Sequence, residues 1–218
     1  MNPPKTEQEL LDRANELAGK TFASLSQSLN KKIPANLLTE KGWLGQLLEL
    51  ALGATAGSKP EPDFQHLGIE LKTLPLNAQQ QPKESTFICT ASLPCANEWR
   101  QSDVWQKLKC ILWIPIEADP NIPFSERRIG TPILWRPTTA QEKILQQDWE
   151  ELTEMLTIGD YQNLTAKVGT YLQMRPKAAN SNVLRKAINR EGEPQLIVPR
   201  GFYLRTIFTK QILFLPPE

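Results

Sequence analysis

With 218 residues, 40% hydrophobic and 22% charged, the chain has the size and mix of one large folded domain, or of two lobes sharing a core, and not of a disordered protein. Its 25 basic and 24 acidic residues leave a formal charge of +1, so total charge selects no class of partner. A single histidine, His66, and three cysteines without C-x-x-C spacing, Cys89, Cys95 and Cys110, leave almost no raw material for a four-ligand Cys/His zinc site or for chemistry needing several imidazoles.

The odd cysteine count fits a reduced, cytoplasmic protein with the thiols as buried apolar filler. The amino terminus, MNPPKTEQELLDR, has no apolar leader, and no run approaches the roughly 18 to 20 apolar residues that cross a bilayer. A T-x-x-E box, Thr6 to Glu9, predicts a first helix through Leu10, Leu11, Ala14 and Leu17, ended by Gly19. A second helix is expected from about Gly42 to Leu52, apolar enough to be buried on both sides, with Glu49 in its middle. Gly53, Gly57, Pro60 and Pro62 then break the helix and lead into short strands around Phe64 and over Ile69 to Leu74, joined near Gly68.

Further strands are expected at Thr86 to Ala91, Leu108 to Ile116, Thr131 to Trp135 and Tyr171 to Met174. Between the last two, Thr139 to Glu142 predicts the start of a long helix with Ile144, Leu145, Trp149, Leu152, Met155 and Leu156 as its apolar face and Gly159 as its end. Helices before, between and after short strands predict an α/β fold with a mixed sheet flanked by helices.

Charge is unevenly placed. From Asn163 onward nine residues are basic and three acidic, whereas the first 162 residues carry 16 basic and 21 acidic ones. A basic carboxy-terminal part fits a phosphate-backbone surface, and equally a solvated basic face.

The segment PDFQHLGIELKT places Asp63, Glu70 and Lys72 close together. In a strand, Glu70 and Lys72 point to one side, and Ile69, Leu71 and Thr73 to the core. A carboxylate beside an ammonium is a salt bridge or a catalytic pair, and spacing alone leaves both open. Should Asp63 end a neighbouring strand, two carboxylates and a backbone carbonyl such as that of Leu71 would suit a hard cation, naturally Mg²⁺, and with it phosphodiester hydrolysis. Lys72 would orient or help deprotonate the attacking water. Glu49 is costly to bury without a partner, which a second metal or a lysine would supply. His66 reads as a turn residue beside this site.

The run KGWLGQLLELALGATAGSKPEPDFQHLGIELKTLP resembles the catalytic core of the MutH family, the strand-discriminating endonucleases of methyl-directed mismatch repair, relatives of GATC-cutting restriction endonucleases. LWIPIE, RRIGTPILW, QDWEEL, YLQMRPKAAN and PRGFYL resemble further segments of that family in the same order, so the likeness covers nearly the whole chain. It implies that Asp63, Glu70 and Lys72 form the D…E-x-K triad, that Glu49 is the additional acid of the preceding helix, and that Lys109 lies near the catalytic centre. It further implies that Lys41, Phe87, Arg175, Pro176 and Tyr203 engage DNA. An arginine suits the O6 and N7 edge of guanine, and an aromatic residue such as Tyr203 suits the sensing of an adenine methyl group.

The resemblance implies a Mg²⁺-dependent enzyme that nicks the unmethylated strand of hemimethylated GATC sites 5′ to the guanine, acts as a monomer, and is stimulated by MutL after MutS finds a mismatch. The implied architecture is a restriction-endonuclease-like α/β core with a DNA-binding cleft between a catalytic lobe, about residues 1 to 110, and a DNA-reading lobe, about 111 to 218. Two rivals are a GATC restriction enzyme cutting both strands and a non-catalytic DNA-binding adaptor on a nuclease scaffold.

Overall fold

Thr6 accepts the Glu9 N–H at 3.1 Å and opens α1 (Glu7–Asn15), which buries Leu10 and Ala14 completely. Glu9 closes the box one residue earlier than the T-x-x-E spacing predicts, since its carboxylate takes the N–H of Lys5. Thr21 caps a short helix absent from the sequence expectation, α2 (Phe22–Ser28), by accepting from Ser24. The computed structural model describes residues 2–34, 42–57, 59–93, 95, 98–177 and 184–214.

The apolar helix expected from Gly42 is α3 (Trp43–Leu52), bounded by Gly42 and Gly53 at φ 93° and 79°, left-handed conformations open to a residue without Cβ. It is not buried on both sides: Leu44, Leu47, Leu48, Ala51 and Leu52 face the core, while Gln46 and Leu50 remain exposed. Then follow β1 (Glu70–Leu76) and β2 (Thr86–Thr90). The strand expected from Leu108 starts later. Ser102 accepts the Trp105 N–H and caps α4 (Asp103–Leu108), so β3 runs over Ile111–Glu117.

After β4 (Ile133–Trp135) comes α5 (Thr139–Thr157). Its capping box lies one residue upstream of the expected one: Thr138 and Gln141 exchange backbone-to-side-chain bonds in both directions. The chain ends in β5 (Leu172–Pro176), β6 (Arg185–Ile188), β7 (Pro194–Ile197), β8 (Arg200–Leu204) and α6 (Thr206–Ile212). The turn between β6 and β7 is set by Asn189, whose Oδ1 accepts from Glu191 and Glu193, with Gly192 at φ 84°.

Two compact units result, each assembled from separate stretches: Met1–Glu84, Cys110–Arg136 and Ile212–Glu218 in one, Ser85–Lys109 and Pro137–Gln211 in the other. The first holds a mixed sheet in the order β1-β3-β4, with β1 parallel and β4 antiparallel to β3. Leu71, Leu112, Ile114 and Ile116 share one of its faces and join α1, α2 and α3 in a single apolar core. The second unit holds the antiparallel sheet β2-β8-β5, the hairpin β6-β7 and the long helix α5, which packs on β5. The mixed α/β class read from the sequence is observed.

Candidate active site

Asp63 reaches β1 through a tight reversal. Phe64 pairs with Ile69 across the turn Gln65 to Gly68, with Gly68 at φ 67°, so Asp63 comes alongside the start of the strand. Its Oδ2 accepts the Leu71 N–H at 2.8 Å, and its backbone carbonyl accepts the N–H groups of Thr55 and Ala56 in the loop after α3. This turn is the physical reason that seven positions suffice between the two carboxylates.

Glu70 opens β1, and its N–H donates to the Cys110 carbonyl at the head of β3. N–H and C=O of one strand residue point to the same edge. The Leu71 carbonyl therefore faces the edge occupied by Asp63, away from β3. Lys72 Nζ donates to Glu70 Oε1 at 2.6 Å, so the two share a face as the alternation predicts. That face is no solvated surface: Glu70 is only 1% exposed, and Leu74 and Trp113, from the same face, are fully buried. The expectation that only the Leu71 side meets the core is thereby corrected, because the sheet is covered on both sides, as one with a parallel pair tends to be.

Glu49 is half-buried on α3, and its carbonyl accepts from Gly53 and Ala54 at the helix end. His66 is exposed, with Nε2 2.5 Å from the Pro4 carbonyl, which ties the turn to the amino-terminal segment. Lys109 caps α4 in the second unit and donates to Gln106 at 2.6 Å. Lys41 lies outside the described residues. Among the described residues no three His, Cys, Asp or Glu side chains converge as a ready-made cage. The oxygens that fit a hard divalent cation are accordingly the carboxylates of Asp63 and Glu70 with the Leu71 carbonyl, a donor set that leaves water and substrate oxygens to fill the shell.

The residues expected at DNA converge on the sheet of the second unit. Phe87, Tyr203 and Gln173 are register partners across β2, β8 and β5, and Arg175 pairs with Gly201 two positions along, so all lie on one face. The Phe87 and Tyr203 rings meet edge to face at 5.3 Å. Arg175 lies 5.7 Å from the Tyr203 ring and donates to Ser85 at 2.8 Å. Burial pushes the Tyr203 hydroxyl above its ordinary pKa, and the Arg175 charge opposes that rise. Pro176, exposed at the end of β5, pairs with Arg200 and alternates to the other face.

Sequence reading missed Lys177, whose ammonium lies 4.0 Å from the Phe87 ring, a cation–π contact signalled only by the R-P-K run. It also missed Gly201, where a Cβ would lie 2.8 Å from the Phe87 ring and 3.1 Å from the Cys89 carbonyl. The basic carboxy-terminal part is not wholly a surface for phosphates: Arg200 donates to the carbonyls of Leu164 and Tyr161, and Arg205 to those of Ala166 and Val168. Burial lowers the Arg200 pKa, as expected of a cation holding a loop.

A family model described as DNA mismatch repair enzyme MutH matches residues 52–148, a span containing Asp63, Glu70 and Lys72. Similarity to individual proteins reaches much further. The DNA mismatch repair protein MutH of Histophilus somni (strain 2336) is 51% identical over 215 residues, covering 98% of this chain and 96% of that protein. That of Vibrio vulnificus (strain YJ016) is 50% identical over 212 residues, 96% of this chain and 93% of its own length. That of Shewanella baltica (strain OS185) is 49% identical over 213 residues, 97% and 96% respectively. With half its residues matched over almost its full length, and with D…E-x-K side chains gathered at the head of β1, this chain belongs to the MutH family of DNA mismatch repair enzymes.

Proposed function

We propose that this mismatch-repair endonuclease nicks the unmethylated strand of hemimethylated GATC sites, 5′ to the guanine, using Asp63, Glu70 and Lys72 for the chemistry. The observation that carries the reading is the Glu70 to Lys72 ion pair at 2.6 Å beside the Asp63 carboxylate, three groups set by one turn and one strand. Asp63, Glu70 and the Leu71 carbonyl would hold a divalent cation, Mg²⁺, with Glu49 contributing from α3. Such a cation, when bound, lowers the pKa of a water, fixes the scissile phosphate and offsets charge growing on the leaving oxygen.

The remaining steps fall to the chain itself. The Lys72 ammonium, held by Glu70, orients the attacking water and by its charge eases loss of the water's proton to a carboxylate of the site or to solvent. Its positive charge also stabilises the phosphorane-like state, where charge accumulates on the phosphoryl oxygens. Lys109 adds a second ammonium near the reacting phosphate, and Lys41 a phosphate contact. Phe87, Arg175, Pro176 and Tyr203 read the site, with Arg175 suited to the guanine O6 and N7 acceptors and Tyr203 to the adenine N6 edge, where a methyl group clashes or displaces a hydrogen bond.

The clustering of Phe87, Arg175 and Tyr203 on one sheet face supports a common ligand for residues far apart in sequence. The catalytic role belongs to the unit that holds β1 and DNA reading to the unit that holds β2, β5 and β8, in a restriction-endonuclease-like core. The protein acts in the cytoplasm as a monomer, one active site cutting one strand, and responds to MutL after MutS has found a mismatch. No helix among the described residues is long and apolar enough to cross a membrane.

The test is a nicking assay on circular DNA bearing one GATC in unmethylated, hemimethylated and fully methylated forms, with and without MutL. Single-strand nicks on hemimethylated circles, raised by MutL, are expected. Absence of any nick with Mg²⁺ would sink the enzymatic reading, and predominant double-strand cuts would instead indicate a restriction enzyme.

A further inference from the structure

The carboxy-terminal half of α5, the turn after it, strand β6 and Leu93 and Cys95 beyond β2 line an open groove of about 750 Å³ within the second unit. Its floor is apolar, with Trp149 and Leu156 buried in it, and its walls expose Leu93, Ile158 and Ile188, the last to 62%. Leu196, opposite Lys186 in the hairpin, is 61% exposed and extends the apolar surface along β7. A monomer that gained nothing from these side chains would leave them scattered; here they line one concavity.

The charges around the groove specify what fits it. Glu150 and Glu154 line it from α5, and Lys186 is its one lining cation among the described residues. The acids stand four residues apart, a like-charge spacing that weakens a helix, and they occupy the half of α5 where the macrodipole already disfavours negative charge. The last turn of α5 contains no basic residue to offset them. Glu150 accepts the Gln146 side-chain amide at 2.7 Å one turn away, but neither the repulsion between the two acids nor the macrodipole is offset at Glu154, where a cationic ligand would offset both. The same acids repel a nucleic acid, which separates the groove from the sheet face carrying Arg175, Lys177 and Tyr203.

We propose that this groove is a docking site for a basic amphipathic helix of a partner protein, whose apolar face covers Ile158 and Ile188 while its lysines or arginines meet Glu150 and Glu154. Helix-in-groove recognition uses this combination of an apolar trough and charged rims. The mode is independent of the GATC reading, since no group of the proposed catalytic or DNA-reading surface takes part.

The experiment uses the full chain and a labelled amphipathic helical peptide of leucine and lysine, with a leucine and glutamate counterpart, read by fluorescence anisotropy. The lysine peptide is expected to bind and the glutamate peptide not. Ile188→Asp is expected to weaken the lysine peptide about tenfold or more, with unstimulated nicking unchanged, and the double variant Glu150→Lys/Glu154→Lys to transfer preference to the glutamate peptide. Equal binding of both peptides to the unmodified protein, or indifference to Ile188→Asp, would overturn the proposal. So would displacement of the peptide by a GATC duplex, which would make the groove part of the DNA surface, or a self-association abolished by Ile188→Asp, which would make a second copy the occupant.

Discussion

Among the described residues two carboxylates lie almost wholly out of solvent, and their surroundings could hardly differ more. Asp148, on α5 and 3% exposed, accepts three backbone N–H groups, from Thr170 at 2.7 Å, Tyr171 at 2.6 Å and Leu172 at 2.8 Å. Glu70, 1% exposed, accepts the ammonium of Lys72, a side chain 18% exposed. Fixed amides lock a carboxylate into a structural part, here the anchor of β5 to α5. An ammonium on a long alkyl stem fixes its carboxylate less firmly than backbone amides do.

That difference predicts opposite consequences of mutation. Asp63→Ala and Glu70→Gln are expected to lower the nicking rate by about a thousandfold or more, roughly 4 kcal/mol at the transition state, while DNA binding stays near its original value and stability falls only by the cost of one lost partner, about 1 to 3 kcal/mol. Plasmid nicking beside urea denaturation checks this, and unfolding of Glu70→Gln would erase the contrast with Asp148. Asp148→Ala is expected to do the reverse. It strands three buried N–H groups at about 1 to 3 kcal/mol each, so a loss of roughly 3 kcal/mol or more in urea titrations should accompany near-normal nicking by the fraction that remains folded.

Smaller effects sharpen the division between chemistry and reading. Tyr203→Phe should leave the rate on unmethylated DNA within about threefold yet reduce discrimination against a methylated strand by about tenfold, or 1.4 kcal/mol; identical ratios on hemimethylated and fully methylated circles would return Tyr203 to a packing role. The least effect concerns titration. Since burial raises the Tyr203 pKa and the Arg175 charge opposes it, ultraviolet titration should show Tyr203 ionising above free tyrosine, and Arg175→Ala should move it higher still. A downward shift would mean that Arg175 does not face the phenol.

Much of the first unit was legible from residues alone, because its signals are local. Gly42 and Gly53 bracket α3 as their types suggest, and Gly68 marks the turn that carries Asp63 to β1. The side-chain register of Glu70 and Lys72 followed from alternation, whereas the burial of Glu70 did not, since periodicity within one strand does not reveal what covers its second face. Asp148 left a readable trace that went unused: it falls between Leu145 and Leu152 on the buried stripe of α5, where an acid needs a donor set. The hairpin β6-β7 likewise announced itself through Asn189 and Gly192. By contrast, the stacking of Lys177 on Phe87 and the close approach at Gly201 join segments roughly 90 and 110 residues apart, beyond any local pattern.

The interleaved connectivity has a consequence for biosynthesis. β1 pairs in parallel with β3, and between them the chain must deliver Ser85–Lys109, a stretch of the other unit. A ribosome thus releases the strand bearing Glu70 and Lys72 well before its partner strand emerges, and the second unit waits longer still for β8 to join β2 to β5. Neither half can be harvested by cutting the gene once. The strand bearing Glu70 and Lys72 waits for β3 until part of the second unit has already left the exit tunnel.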